Sequence, residues 1–105
     1  MVIVLFRSRL TDAAGDDYAA MADEMLTRAR TMPGFVDFKS FRADDGERLS
    51  VIWWESQDTL RQWSGDVRHL VAQRLGREQW YQYFHLEVAE VVRSYGFDKD
   101  PTGMK

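Results

Sequence analysis

Apolar and polar residues alternate in four separate segments of the chain, and this alternation predicts four β-strands. The segments are residues 2–10, 35–42, 48–55 and 81–93. In the first of them Val2 and Val4 fall on one face, and Ile3 and Leu5 fall on the other. The first strand is therefore expected to be apolar on both of its faces.

Between the first two strands, apolar residues recur every three or four positions, which indicates an amphipathic helix from about residue 15 to residue 32. Asp16 and Asp17 suit the positive end of its dipole. Pro33 and Gly34 then favour a turn, because proline disfavours a helical conformation in the residue before it.

A second helical region follows the third strand, and its sequence predicts a break in the middle. Ser56 is a candidate N-cap for a helix through Trp63, which Gly65 ends. Asp66 is a candidate N-cap for a second piece that extends to Leu75 and that Gly76 closes. The apolar positions keep their helical spacing across the break, so both pieces are expected to cover one sheet face.

This order of elements, βαββαβ, predicts a ferredoxin-like α+β fold. Asp45 and Gly46 favour a hairpin between the second and third strands. The sheet is expected to be antiparallel and four-stranded in the order 4-1-3-2, with the helices on one face. We interpret residues 1–93 as one domain and residues 94–105 as a polar C-terminal tail.

The uncovered sheet face is predicted to mediate homodimerisation. It would carry Ile3 and Leu5 together with either the series Leu49, Val51 and Trp53 or its alternate. A small domain that left such a patch in water would expose a large apolar area, and pairing two sheets removes it.

Composition restricts the class of protein further. The net charge of −3, without a basic cluster, argues against nucleic-acid binding. The absence of cysteine excludes disulfides and thiolate chemistry. About five apolar residues before Arg7 are too few for a signal sequence or a membrane span, so we expect a cytoplasmic protein without membrane association.

The residues around the helix break are the best candidates for chemistry. Trp63 and His69 lie on either side of Gly65, where an interrupted helix over a sheet leaves room for a crevice. A neutral imidazole suits proton transfer near pH 7. The alternatives are that Trp63 belongs to the core and that His69 only hydrogen-bonds near a helix start.

Four residues further along the chain could line the same crevice. Gln73 lies one helical turn after His69, and Arg77, Trp80 and Tyr81 follow around the entry to the last strand. Solvated residues at a helix end are the alternative for Gln73 and Arg77. We expect no metal site, because the two histidines, His69 and His85, show no ligand spacing with carboxylates.

One stretch of the chain resembles the antibiotic biosynthesis monooxygenase domain family. The resemblance is carried by Asp45-Gly46-Glu47, Val51-Ile-Trp-Trp-Glu55, Trp63, His69, Ala72-Gln73, Gly76-Arg-Glu78 and Tyr81. By order of elements it covers about residues 2–93. The resemblance implies a dimeric α+β barrel with a pocket between sheet and helices in each subunit.

The resemblance also implies a reaction, the insertion of oxygen into a small aromatic phenol, quinol or polyketide-like substrate without metal or flavin. Trp63 would then pack on the substrate ring and His69 would take or share the phenolic proton. Ser8, Gln73, Tyr81 and Arg77 would contact the substrate. No cofactor is expected.

Two other functions stay open. The haem-degrading branch of the family carries an Asn in the first strand, a Trp in the second helical region and an axial His after it. Here those positions read Ser8, Trp63 and Gln73, so haem is possible but disfavoured. The second alternative is a non-catalytic, stress-related dimer that binds a small aromatic molecule.

Overall fold

The computed structural model describes residues 1–99, and at residues 67 and 68 the backbone alone. The elements are β1 (Val2–Leu10), α1 (Asp16–Thr31), β2 (Phe35–Arg42), β3 (Arg48–Trp54), α2 (Gln57–Ser64), α3 (Val67–Leu75), a π-helix (Gly76–Trp80) and β4 (Tyr81–Glu90). The strands form one antiparallel sheet in the order β2-β3-β1-β4. The predicted ferredoxin-like α+β fold and strand order are confirmed.

Two glycines make the turns that the sequence requires. Gly34 has φ +83° and Gly46 has φ +92°, a region of backbone conformation that favours glycine. At Gly34 a Cβ atom would also lie 2.4 Å from the Thr59 side chain. The turns after α1 and between β2 and β3 therefore depend on residues without a side chain.

The break between α2 and α3 is built as the capping residues predict. The Ser56 side chain accepts a hydrogen bond from the backbone N–H of Thr59, and the Thr59 hydroxyl lies 3.2 Å from the backbone nitrogen of Ser56. Asp66 accepts a hydrogen bond from the backbone N–H of His69 and so caps α3. Arg28 on α1 forms an ion pair with Asp66 at 2.8 Å, which fixes the break against α1.

The sheet has one covered and one open face, and the register decides which residues lie on each. Val2 pairs with Trp54 and Val4 with Ile52 on the face that packs against the helices. This face supplies the core, where Trp54 is 1% exposed. Because side chains alternate along a strand, the residues between them point to the opposite face.

The open face collects the apolar residues expected there. Ile3 pairs with Trp53, and Leu5 pairs with Val51. Ala89 on β4 lies opposite Ile3. Of the two registers that the sequence allowed, the structure therefore has the one that puts Val51 and Trp53 on the same face as Ile3 and Leu5.

β4 is shorter than predicted, because it ends at Glu90 rather than at residue 93. The ladder with β1 finishes where the N–H of Val91 donates to the carbonyl of Met1. Beyond that bond the side chains of Val92, Tyr95 and Phe97 are almost fully exposed. Residues 100–105 of the predicted polar tail lie outside the described residues. Within the described part of the chain, no helix has the length and apolarity to cross a membrane.

Candidate functional site

A cavity of about 620 Å³ lies between the covered sheet face and the helices. Ligand pockets usually measure roughly 300–1,000 Å³, so this cavity has the size for a small organic molecule. It is lined by every site residue predicted from the sequence, namely Ser8, Trp63, His69, Gln73, Arg77 and Tyr81. The structure therefore brings all six to one place, although their roles remain predictions.

Trp63 is both a core residue and a wall of the cavity. Its side chain is 8% exposed and belongs to the core cluster with Trp54 and Leu60. The indole stacks on Trp54 with ring centroids 6.2 Å apart and on His69 with centroids 4.4 Å apart. The two interpretations of Trp63 are thus compatible, and the stack holds the His69 ring in one orientation.

The His69 imidazole is fixed by a hydrogen bond across the helix break. Its Nδ1 lies 3.2 Å from the backbone carbonyl oxygen of Trp63. Because a carbonyl oxygen only accepts, Nδ1 carries the proton, and the neutral ring keeps a lone pair on Nε2. Burial lowers the pKa of His69. The ring is therefore neutral near pH 7, and His69 belongs to the cavity lining.

Tyr81 depends on the π-helix for its position. A Cβ atom at Gly76 would lie 2.8 Å from Cε2 of Tyr81, so the ring packs directly on the glycine backbone. Burial raises the pKa of Tyr81, and the neighbouring Tyr18 side chain raises it further. The Tyr81 phenol is therefore neutral and can act as a hydrogen-bond donor.

The remaining predicted residues lie at different depths. Ser8 is 3% exposed on the covered face of β1. Gln73 is half-buried on α3, and Arg77 is exposed in the π-helix with its guanidinium carbon 5.8 Å from the Phe84 ring centroid. Both Gln73 and Arg77 belong to the cavity lining, and a contact of either residue with a substrate stays a prediction.

The sequence reasoning missed a polar group on the sheet. Arg48 and Ser50 on β3, and Tyr18 on α1, also line the cavity. The alternation places Arg48 and Ser50 on the face of Trp54 and Ile52, but the sequence left open which of the two faces the helices cover. Polar residues on a strand face that helices cover point into a site rather than into water.

The cavity opens to solvent along the edge strand β4. Leu86 and Val88 line it from the sheet, yet they are 49% and 42% exposed. Met21, Met25 and Leu26 of α1 line the cavity from the helical side. The walls are thus mainly apolar and aromatic, and the entrance has an apolar rim.

The acidic hairpin lies away from this cavity. Glu47 accepts hydrogen bonds from Arg7 and from the Tyr83 hydroxyl, and both lower the pKa of its carboxyl. Asp45 forms an ion pair with Arg9 at 3.5 Å. Asp45 and Glu47 are therefore both engaged in contacts with neighbouring strands. Among residues 1–99, no group of three or more His, Asp or Glu side chains is placed to hold a metal ion.

Comparison with known proteins gives a family match and two relatives. Residues 1–75 match the family model described as "Antibiotic biosynthesis monooxygenase". An uncharacterized protein of Bacillus subtilis, YqjZ, is 32% identical over 83 residues, which are 79% of this chain and 73% of that protein. The jasmonate monooxygenase ABM of Pyricularia oryzae is 28% identical over 97 residues, which are 90% of this chain but 45% of that protein.

Solved structures share the fold at low sequence identity. Rv0793 from Mycobacterium tuberculosis has a TM-score of 0.78 and 20% identity, with 90% of this chain and 98% of that chain covered. SnoaB, a cofactor-independent oxygenase from Streptomyces nogalater, has a TM-score of 0.73 and 15% identity, with 89% and 94% covered. At this identity the likeness concerns the fold alone.

Proposed function

Because the chain belongs to the antibiotic biosynthesis monooxygenase family, we propose that it is a cofactor-independent monooxygenase that oxidises a small aromatic phenol or quinol in the cavity between sheet and helices. The observation that carries the proposal is the neutral His69, held with its Nε2 lone pair free beside the Trp63 ring. A family relative named as a monooxygenase and a fold relative named as a cofactor-independent oxygenase support it.

The first step in this proposal is removal of the phenolic proton. Nε2 of His69 accepts the proton, and the resulting imidazolium keeps its Nδ1–H donated to the Trp63 carbonyl. The same hydrogen bond therefore orients the base before the transfer and stabilises the cation after it. The phenolate that forms is electron-rich enough to transfer an electron to dioxygen.

Other residues bind and orient the substrate. The indole of Trp63 offers a flat apolar surface to an aromatic ring. The neutral Tyr81 hydroxyl donates a hydrogen bond to the substrate oxygen as negative charge develops on it. Ser8 and Gln73 supply further polar contacts within the cavity. Substitution of each of these residues can test its role in substrate binding.

The overall reaction balances without an external reductant. A phenol with a hydrogen on the attacked ring carbon reacts with O₂ to give a quinone and water. One oxygen atom enters the product as the new carbonyl, and the other leaves as water with two hydrogens of the substrate. All four electrons that reduce dioxygen come from the aromatic substrate, so His69 only moves protons.

The test is oxygen consumption by the purified protein with a panel of phenols and quinols, including anthrone and 1,4-naphthohydroquinone, in the presence of EDTA. We expect saturable oxygen uptake and one ¹⁸O atom in the quinone when ¹⁸O₂ is supplied. Uptake that the protein does not accelerate over buffer with any panel member would contradict the proposal. The same substrates titrated by calorimetry distinguish a non-catalytic binding protein, which would bind them without turnover.

Haem is the alternative cofactor, and the cavity does not fit it well. The position expected to hold the axial histidine is Gln73, whose amide is not an axial haem ligand. His69 keeps its Nε2 free, but it lies one helical turn before the expected axial position and stacks flat on Trp63. The proposed reaction therefore does not use haem. A stoichiometric Soret band on titration with haemin would overturn this assignment.

The proposal includes a homodimer that forms through the open sheet face. Ile3, Leu5, Val51 and Trp53 form an apolar strip on that face, opposite to the cavity. In the single chain Val51 is already buried, and the other three side chains are partly exposed. Arg7, Glu47 and Tyr83 form a polar network beside it. An apolar centre with a polar rim is the usual anatomy of a protein interface.

A further inference from the structure

The cavity has a cationic end that the proposed oxidation of a plain phenol does not use. Arg48 is half-buried on β3, paired with Ser8 of β1 on one side and with Arg42 of β2 on the other. Its guanidinium carbon lies 5.9 Å from the centroid of the Tyr18 ring. The charge is thus held against an aromatic wall of the site.

No carboxylate of the described chain neutralises this charge. Among the described side chains of residues 1–99, neither Arg48 nor Arg77 forms an ion pair, unlike Arg7, Arg9, Arg28 and Arg61. Asp23 is the acidic residue in the cavity lining, and it is exposed on α1. Asp17, nearby, accepts a hydrogen bond from the Trp80 indole. Two guanidinium groups therefore face the cavity against one exposed carboxylate.

Neutral donors surround Arg48 on the same sheet face. Ser40 and Ser50 are paired across β2 and β3, two residues along the ladder from Arg48, and both line the cavity. The opposite end of the cavity floor is apolar, with Ile52 and Trp54. The floor thus changes from apolar to cationic along β3.

A half-buried arginine loses part of its hydration free energy. A bound anion compensates this loss most effectively. The planar guanidinium matches a carboxylate in a bidentate geometry, and hydroxyl groups can complete the coordination. The charge of Arg48 also acts on Tyr81 across the site, where it opposes the rise in the pKa of that phenol. Arg48 is thus electrostatically coupled to the cavity interior.

We propose that the substrate is an organic anion, an aromatic compound with a carboxylate on a side chain, whose carboxylate is bound by Arg48 with Ser40 and Ser50 while its ring lies in the aromatic part of the cavity. Arg77, the second arginine of the cavity lining, attracts the same carboxylate from its exposed position beside Phe84. This inference rests on the proposed function, because it specifies the substrate class of the same site.

The test uses two ligands of nearly the same shape, 1-naphthaleneacetate and 1-naphthaleneacetamide, which differ in charge. Calorimetric titration of the intact protein at low ionic strength is expected to give a Kd for the acid about tenfold lower than for the amide, the scale of one charge-assisted hydrogen bond. In Arg48→Gln the acid is expected to bind only as well as the amide, and the amide Kd is expected to stay unchanged.

Two further variants are matched controls. Arg48→Lys keeps the charge and is expected to retain part of the preference for the acid. Arg74→Gln removes an exposed arginine of α3 that does not line the cavity, and it is expected to change neither Kd. Binding of the amide also shows that each variant is folded.

The outcomes separate this inference from the proposed function. Equal affinity for the acid and the amide in the unaltered protein, or a preference that survives in Arg48→Gln, overturns the anionic substrate class and leaves the phenol oxidation intact. If neither compound binds at millimolar concentration and the phenol panel gives no oxygen uptake, both proposals are wrong.

Discussion

The pairing of Trp63 with His69 sets the chemistry of the site at the level of single residues. Their spacing around Gly65 indicated a crevice at the helix break, but it identified no partner for His69. The stack on Trp63 and the protonated nitrogen depend on the packing of the two rings and on the direction of one backbone carbonyl. Neither follows from spacing in the sequence.

His69→Gln tests the base directly. The amide keeps a polar group of similar length but has no basic nitrogen, so turnover is expected to fall by about 10²- to 10⁴-fold, the usual contribution of a general base. Substrate affinity is expected to change little, because the Trp63 surface remains. Steady-state oxygen uptake measures kcat and KM separately. Full turnover in His69→Gln would remove His69 from the mechanism.

The pH dependence follows from the same residue. Burial lowers the pKa of His69 below its ordinary value of 6.5, so the neutral base persists to lower pH. We expect kcat/KM to fall on the acid side with an apparent pKa below 6.5 and this limb to disappear in His69→Gln.

The effect of His69 on the free energy of unfolding has the opposite pH dependence to that of a histidine whose charged form is stabilised by folding. The unfolded state binds the proton first as the pH falls through 6.5, so His69 lowers the free energy of unfolding between 6.5 and its folded pKa. Urea unfolding at a series of pH values measures this, with His69→Gln as the comparison. A loss of stability as the pH rises through this window would contradict the assignment.

Arg48 shows why part of the site escaped sequence analysis. An isolated arginine at the start of a strand is usually solvated, so its sequence context alone did not single it out. Its importance depends on the register that places it beside Ser8 on the covered face. Ser8, by contrast, could be named in advance through the family resemblance.

At the level of secondary structure, the broken helical region was predictable and its continuation was not. Ser56, Gly65 and Asp66 identify the break by their capping chemistry. Gly76 was expected to close the last helix, but the chain continues from it into a π-helix. The wider turn has no sequence signature of its own, and it brings Gly76 into direct contact with the Tyr81 ring.

Asp66 combines a cap with an ion pair, and two substitutions separate them. Asp66→Ala is expected to cost about 1 kcal/mol or more, because the His69 N–H loses its acceptor. Asp66→Asn keeps the cap and loses the charge opposite Arg28, so its cost is expected to be smaller. Urea denaturation gives both free energies of unfolding. Equal costs would show that the ion pair, rather than the cap, matters.

Gly76→Ala tests the contact that positions Tyr81. The added methyl group would lie 2.8 Å from the ring, so either the ring or the π-helix must move. We expect a loss of about 1–3 kcal/mol, the usual range for overpacking, together with a higher KM. The measurements are thermal unfolding and oxygen uptake.

Gly65→Ala is the matched control. Its φ of −90° suits any residue, and the nearest atom to an added Cβ is the Arg61 carbonyl oxygen at 3.6 Å. This substitution is expected to change stability and KM little. If both alanine variants behaved alike, the contact between Gly76 and Tyr81 would have no special role.

For the molecule as a whole, the order of elements was sufficient to predict the topology. Few topologies join βαββαβ with short right-handed connections, and the observed sheet is the simplest of them. The cavity was only partly predictable. Its volume and its opening along β4 depend on how far the helices extend over the sheet, which no local pattern encodes.

The open face gives a prediction for assembly. Trp53→Lys places a charge in the middle of the apolar strip and is expected to convert the proposed dimer to a monomer. Leu5→Lys on the neighbouring strand is expected to do the same, and Arg74→Glu on α3 is expected to leave assembly unchanged. Sedimentation velocity distinguishes the two states. A dimer that persists in both lysine variants would place the interface elsewhere.

Trp53 and Trp54 are neighbours in sequence but point to opposite faces of the sheet. Trp54 lies in the stack with Trp63 at the cavity, and Trp53 lies on the uncovered strip. The chain has four tryptophans, so a variant that retains only one of them, at position 53 or at position 54, would fluoresce from only one face of the sheet. Emission from Trp54 would follow the filling of the cavity, and emission from Trp53 would follow the contact between subunits. The alternation of a single strand thus provides two independent optical probes one peptide bond apart.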